Sequence, residues 1–184
     1  MNQKLLQKKQ PPGNDLQLQL LISADQIEER LERVARKLEK DYEGQEITII
    51  MVMKGSFMLI ADLMRHLHLP VCLDTIHCSS YGHGIKGELT VEGIQKLDIK
   101  GKHILVIDDI FDTGETLAEV VKQVGEKEPA SLKSLVLLQK DVPHSTDYRP
   151  TIALFDIEDR FVVGYGLDYK EYYRGLPDIY AIEN

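Results

Sequence analysis

Acidic side chains crowd together at one point of this chain, in the run Asp108-Asp109-Ile110-Phe111-Asp112-Thr113-Gly114-Glu115-Thr116. Two adjacent carboxylates repel each other unless a cation or a set of hydroxyls lies between them. Sugar hydroxyls and Mg²⁺ meet that need, because Mg²⁺ takes one or two carboxylates together with substrate oxygens. The turn from Thr113 to Thr116 can aim successive backbone N–H groups and two Thr hydroxyls at a phosphate. Gly114 allows close backbone approach or a positive φ. Asp112 stands one step from that cradle, placed to take or give a proton. Together these residues imply a site that holds a phosphorylated sugar with a metal ion.

Such a site has to be positioned, and the flanking residues supply the means. Ile104 to Ile107 is an apolar run that reads as a buried strand, and Glu115 to Lys127 carries helical periodicity. An acidic pair ahead of a helix is also met as a plain cap. Here a buried strand precedes and a helix follows, the setting in which open α/β sheets bind ligands.

A second anion cradle is spelled by Met53-Lys54-Gly55-Ser56, between the apolar run Ile47 to Met53 and a helical segment Phe57 to Leu67. Backbone N–H groups, a mobile ammonium and a flexible turn suit an anion there, although a plain strand-to-helix turn reads the same way. Ser23 with Gln26 forms a capping box, and Ile27, Leu31, Val34, Ala35 and Leu38 mark the buried face of the helix it opens. Further strands are read at Val71 to Cys78, Leu135 to Gln139, Ile152 to Phe155 and Phe161 to Tyr165. Ser79 to Gly87 reads as a loop and Glu88 to Gln95 as an exposed hairpin arm. Strands alternating with helices give an α/β fold with a twisted, mainly parallel sheet flanked by helices.

The 184 residues suit one domain over residues 16–184, preceded by a loose polar arm over residues 1–15 that contains Pro11-Pro12-Gly13. Lys4, Lys8 and Lys9 in that arm read as solvated charges. A net charge of −8 disfavours nucleic acid or an anionic membrane as partner. A negative protein that binds a polyanion must gather its cations locally. Cys72 and Cys78 are the only cysteines and read as free, reduced thiols, which places the chain in the cytoplasm.

The stretch Asp108 to Thr116 resembles the phosphoribosyl pyrophosphate (PRPP) motif of the type I phosphoribosyltransferases. The chain from about Leu18 to Ile182 resembles more narrowly the hypoxanthine and hypoxanthine-guanine members. That resemblance implies the type I fold with a small hood and a mobile flap opened by Ser80 and Tyr81, hinged at Gly82 and Gly84. It implies Mg²⁺-dependent transfer of phosphoribose from PRPP to N9 of hypoxanthine or guanine, releasing the nucleotide and pyrophosphate. Asp108 and Asp109 would hold the ribose, and Thr113, Gly114, Glu115 and Thr116 the 5-phosphate. Asp112 would handle the purine N7 proton, while Lys54, Gly55 and Arg174 would take pyrophosphate. The resemblance also implies a cis bond between Met53 and Lys54. Lys140 would donate to the 6-oxygen of the base, Phe161 would stack on it, and Val162 would meet its edge. Asp168 would hold Mg²⁺ from the pyrophosphate side, with Asp108 and Asp109 as further contacts through ribose or water. His83 reads as a solvated loop histidine without a role. A homodimer or homotetramer is the family habit.

The chain departs from the family in two places. Asp108 stands where the purine-salvage branch usually has Glu, one methylene longer, and Glu115 sets a carboxylate beside the phosphate cradle. Neither removes a donor or acceptor the chemistry needs. A sensor that kept the fold but binds nucleic acid would call for a basic face and loss of Asp112, and this chain has neither feature. The choice among hypoxanthine, guanine and xanthine stays open.

Overall fold

A computed structural model describes residues 16–81 and 88–183. The expected N-terminal arm and the flap tip with Gly82, His83 and Gly84 lie outside the described residues. Six strands form the main sheet in the order β4-β3-β2-β5-β6-β7. They are β2 (Ile47–Met53), β3 (Val71–Tyr81), β4 (Glu88–Glu92), β5 (His103–Phe111), β6 (Ser131–Lys140) and β7 (Ile152–Ile157). All pair in parallel except β4, which runs antiparallel to β3. The sequence of β2 shows why: its apolar residues alternate to neither face, as a strand covered on both sides requires.

Helices α1 (Ala24–Asp41) and α2 (Phe57–His66) cover one face, and α3 (Glu115–Gly125) covers the other. The capping box of Ser23 and Gln26 is present at the start of α1. The five residues expected on the buried face of α1 are all buried. Two cores result, one between α1, α2 and the sheet, the other between α3, Ile94 to Ile99 and the opposite face. Among the described residues no helix is long and apolar enough to cross a membrane.

A smaller antiparallel sheet, β1-β9-β8, joins β1 (Leu18–Ile22) to β9 (Ile179–Ile182) and β8 (Val162–Val163). Its own core packs Val163, Tyr173, Leu176 and Tyr180. This is the hood, and it brings the two ends of the described chain side by side, with Leu18 opposite Ile182.

Several boundaries differ from the sequence expectation. Strand β3 runs on through Ser80 and Tyr81, which pair with Leu89 and Glu88, so these two residues end a strand rather than open a loop. The hairpin arm is there, yet Val91 and Ile94 are buried in the second core, so it is not an exposed ribbon. Helix α3 stops at Gly125, short of Lys127. The last expected strand shrinks to Val162–Val163, leaving Phe161 outside it and 56% exposed.

Candidate active site

Strand β5 carries the acidic pair further into the sheet than the sequence indicates. Its pairing with β2 ends at Met51 and Ile107, but its pairing with β6 continues to Phe111 and Gln139. Asp108 and Asp109 therefore lie inside a strand, at the point where one neighbour leaves and a crevice opens. They are not the strand's tip. A cavity of about 300 Å³ lies there, bounded by Asp108 to Gly114, Val52, Met53 and Cys78. The Asp109 N–H donates to Asp108 Oδ1 at 2.9 Å and the Ile110 N–H to Asp109 Oδ1 at 2.8 Å. Burial first, and then the neighbouring Asp109 charge, push the Asp108 carboxyl well above the usual range. Burial likewise raises Asp109. The Cys78 thiol on the cavity wall is pushed up to about 12, by burial and then by Asp108, which keeps it protonated and unreactive.

The turn after β5 is braced from behind. Gly114 has φ 85° and caps α3. A Cβ there would sit 2.5 Å from Phe111 Cζ and 2.7 Å from Thr146 Cγ2, so only glycine fits. The Thr113 carbonyl accepts from Ser145 N–H at 2.9 Å. His144 Nδ1 donates to the Asp112 carbonyl at 2.6 Å, and its ring packs on Phe111 with centroids 4.8 Å apart. Thus residues 144–146 hold the main chain of the turn while Thr113 faces solvent and Thr116 is half-buried. No motif in the sequence marks these three residues. The available signal was a polar segment between Pro143 and Pro150, joining two buried strands. Glu115 is the first residue of α3, with an exposed side chain.

The Lys54 turn meets the acidic pair directly. The peptide bond from Met53 to Lys54 is cis. Gly55 packs so closely that a Cβ would stand 1.5 Å from Asp109 Oδ2. The Ser56 hydroxyl donates to the Val52 carbonyl at 2.6 Å and ties the turn to β2. Lys54 Nζ lies 3.2 Å from Glu171 Oε2.

The remaining expected residues gather in two groups. Lys140 Nζ stands 3.1 Å from Asp112 Oδ2 and 3.0 Å from Asp159 Oδ1, with its side chain 11% exposed. Burial pulls this ammonium down, but the hydrogen bonds it donates to Asp159 and Asp112 outweigh that and hold its pKa above the ordinary lysine value. Asp112 is therefore ion-paired, not free as its place in the sequence implied. Phe161 meets the Tyr169 ring edge-on at 5.7 Å, and Val162 lies buried in β8. Arg174 Nη2 bonds Asp168 Oδ1 at 2.7 Å, and Nη1 donates to the Gly166 carbonyl at 2.8 Å.

The donor set fits a hard divalent cation that brings its own oxygens. Asp108 and Asp109 are like charges side by side and buried, an arrangement that gains from a cation between ligand and protein. Among the described residues no three His, Cys, Asp or Glu side chains converge as a closed metal cage. Asp168 is paired with Arg174, in the segment between β8 and β9.

Comparison with known proteins agrees with this geometry. The family model for the phosphoribosyl transferase domain matches residues 23–170. A hypoxanthine-guanine phosphoribosyltransferase of Aquifex aeolicus is 37% identical over 170 residues, covering 91% of this chain and 96% of the relative. A hypoxanthine phosphoribosyltransferase of Salmonella typhimurium is 37% identical over 164 residues, covering 87% and 92%. The crystal structure of a hypoxanthine-guanine phosphoribosyltransferase from Bacillus anthracis superposes with a TM-score of 0.81 at 36% identity, covering 92% of this chain and 100% of that one. With the twisted parallel sheet, the hood and the acidic crevice in place, this chain belongs to the phosphoribosyl transferase domain family, within its hypoxanthine and hypoxanthine-guanine group.

Proposed function

We propose that this chain moves the 5-phosphoribosyl group of PRPP to N9 of hypoxanthine, and of guanine, giving IMP or GMP and pyrophosphate in purine salvage. The observation that carries the reading is the Asp112–Lys140 pair beside the buried acidic pair. In this reading the pair is a proton acceptor and a carbonyl-seeking cation beside the residues that take the ribose. One domain, residues 16–184, suffices for it.

The chain's residues divide the work. Asp108 and Asp109 accept hydrogen bonds from the ribose hydroxyls, and the N–H groups and hydroxyls from Thr113 to Thr116 take the 5-phosphate. Lys54 and Arg174 meet the pyrophosphate, the arginine with a planar fork of donors. Asp168, with Asp108 and Asp109 through ribose or water, would hold Mg²⁺ together with oxygens of PRPP, and the bound ion would supply positive charge against the pyrophosphate. Phe161, largely exposed, offers its ring face to the base, and Val162 its backbone. Lys140 donates to the 6-oxygen and repels the 6-amino group of adenine, since two donors cannot pair. Asp112 takes a share of the N7 proton, which raises the nucleophilicity of N9. Carbon 1 of the ribose passes through an oxocarbenium-like state, so positioning of base and leaving group supplies most of the rate.

The protein works in the cytoplasm as a homodimer or homotetramer, with small molecules rather than nucleic acid or membrane as partners. Free Cys72 and Cys78 support the compartment, and the net charge of −8 supports small molecules over nucleic acid. The test is nucleotide formation from PRPP and Mg²⁺ with hypoxanthine, guanine, xanthine, adenine and uracil in parallel. Turnover on hypoxanthine is expected. No product from any base, with PRPP still bound, would turn the assignment toward a PRPP sensor.

A further inference from the structure

A short hairpin at the rim of the site is built against the preference of its own residues. Tyr169 and Tyr172 close it, the Tyr169 N–H donating to the Tyr172 carbonyl at 3.2 Å and the Tyr172 N–H to the Tyr169 carbonyl at 3.0 Å. Both tip residues have positive φ, 53° for Lys170 and 69° for Glu171. Asn-Gly is the usual occupant of such a tip, because a Cβ disfavours the left-handed region. Residues kept in strained conformations concentrate at functional sites.

What the hairpin achieves is the placement of one carboxylate. Glu171 Oε2 stands 3.2 Å from Lys54 Nζ and 3.2 Å from Arg174 Nη2, so a single oxygen bridges both cations. Lys54 lies 117 residues away in sequence, on the opposite wall of the site. Asp168 Oδ1 bonds the same Arg174 Nη2 at 2.7 Å, and Asp168 Oδ2 accepts the Glu171 N–H at 2.8 Å, which fixes the turn. Hydrogen bonds from Lys54, then from Arg174, hold the Glu171 carboxyl below the usual carboxylate range. Glu171 has no part in the mechanism above.

We propose that Glu171 is an internal stand-in for pyrophosphate, its carboxylate filling the space between Lys54 and Arg174 until a diphosphate displaces it, and so setting the affinity of that subsite. The inference rests on the assignment of Lys54 and Arg174 to pyrophosphate. A diphosphate carries more charge and more acceptor oxygens than one carboxylate, so it wins the exchange. It must break two ion pairs to do so. The Glu171 and Lys54 side chains are 65% and 50% exposed, and ion pairs this open are individually weak. The carboxylate is therefore displaceable, and on the way out it competes with departing pyrophosphate for the same cations.

The experiment is calorimetric titration of inorganic pyrophosphate, without added metal, into the wild-type chain, Glu171→Gln and Glu171→Gly, with nucleotide formation from PRPP and hypoxanthine followed in parallel. The Gln variant keeps the shape and removes the charge, whereas the Gly variant also relieves the positive φ. Both are expected to bind pyrophosphate about threefold to tenfold more tightly than wild type, with the gap closing as salt rises. Unchanged or weaker binding by Glu171→Gln would overturn the inference, because a carboxylate that merely prearranges the two cations predicts weakening. Tightening in the Gly variant alone would also overturn it, since the cause would then be the backbone. A wild-type chain that forms nucleotide yet gives either of these results leaves the site's assignment intact. A wild-type chain that neither binds pyrophosphate nor forms nucleotide removes the assignment, and this inference with it.

Discussion

The Asp112 carboxylate and the Lys140 ammonium stand 3.1 Å apart because each is the next residue after a paired position on adjacent parallel strands. Phe111 lies opposite Gln139 at the end of β5, while Lys140 stays in the sheet opposite Ile157 of β7. In the proposed reaction the pair would join the proton-handling group and the base-reading group in one contact. Asp112→Asn keeps the shape and removes the charge. Turnover is expected to fall about 10²- to 10⁴-fold, the usual range for a lost general base, with little change in the KM for PRPP. Steady-state kinetics on hypoxanthine checks this, and near-full turnover with normal PRPP binding would take the N7 proton away from Asp112.

Gly55 is a second point of no tolerance. A methyl group there collides with Asp109 Oδ2 at 1.5 Å, so either the Lys54 turn or the carboxylate has to move. Gly55→Ala is expected to cut kcat/KM by about 10²-fold or more, the scale of a 1 Å misplacement in a positioned site. The folded structure should survive, because both groups face the crevice. Circular dichroism alongside the kinetics separates the two effects, and a variant with wild-type kinetics would show that the contact is easily relieved.

His144 touches no substrate in this reading, but it holds the Asp112 carbonyl at 2.6 Å. His144→Ala removes one hydrogen bond and the ring beneath the turn. One such bond is worth about 0.5–1.5 kcal/mol, so the KM for PRPP should rise about threefold to tenfold while kcat changes less. His144→Asn, which keeps a donor, should recover part of the loss. If Ala and Asn variants both match wild type, the segment behind the turn does not position it.

The buried acidic pair links activity to stability with a definite sign. Burial and the charge of Asp109 raise the Asp108 pKa above its ordinary value, so the ligand-free fold binds a proton the unfolded chain does not. Its stabilising contribution is complete below the usual carboxylate range and is lost as pH rises through the raised value. Asp108→Asn escapes that loss. Its Tm advantage over wild type should grow from acid toward neutral pH, by about 2–4 °C for each kcal/mol, while PRPP binding weakens. Thermal melts of ligand-free protein across that range decide the matter. An advantage independent of pH would mean that Asp108 is not the group responsible.

Much of the sheet is legible in the sequence because its strands are apolar on both faces, as Ile47 to Met53 and Ile104 to Ile107 show. The capping box of α1 is legible for the opposite reason, being entirely local. The hood is not legible. Leu18–Ile22 and Ile179–Ile182 are short, and each becomes a strand only by pairing with the other end of the chain. The extension of β5 to Phe111 was hidden as well, since two Asp residues look like the end of a strand when the sheet around them is unseen. Site residues on the motif could be read from their own chemistry. Lys140, Phe161 and Arg174 could be read only through resemblance, because nothing local distinguishes them from surface or core. His144 and Glu171 act through contacts spanning 32 and 117 residues, and no local pattern announces either.

The placement of Asp108 and Asp109 within a strand, beyond the reach of β2, has a consequence for how the site can breathe. Their backbones are rungs of the sheet, so entry and exit of ligand leave them still, and the opposing walls must do all the moving. Amide hydrogens from Ile104 to Ile107, which lead into the pair between two neighbouring strands, should exchange with solvent only when the whole sheet opens, whereas those of Tyr169 to Tyr173 should exchange far sooner. In the proposed assignment the strand that carries the sugar's anchor would keep the time of global unfolding, while the hairpin beside the diphosphate would keep that of a surface turn.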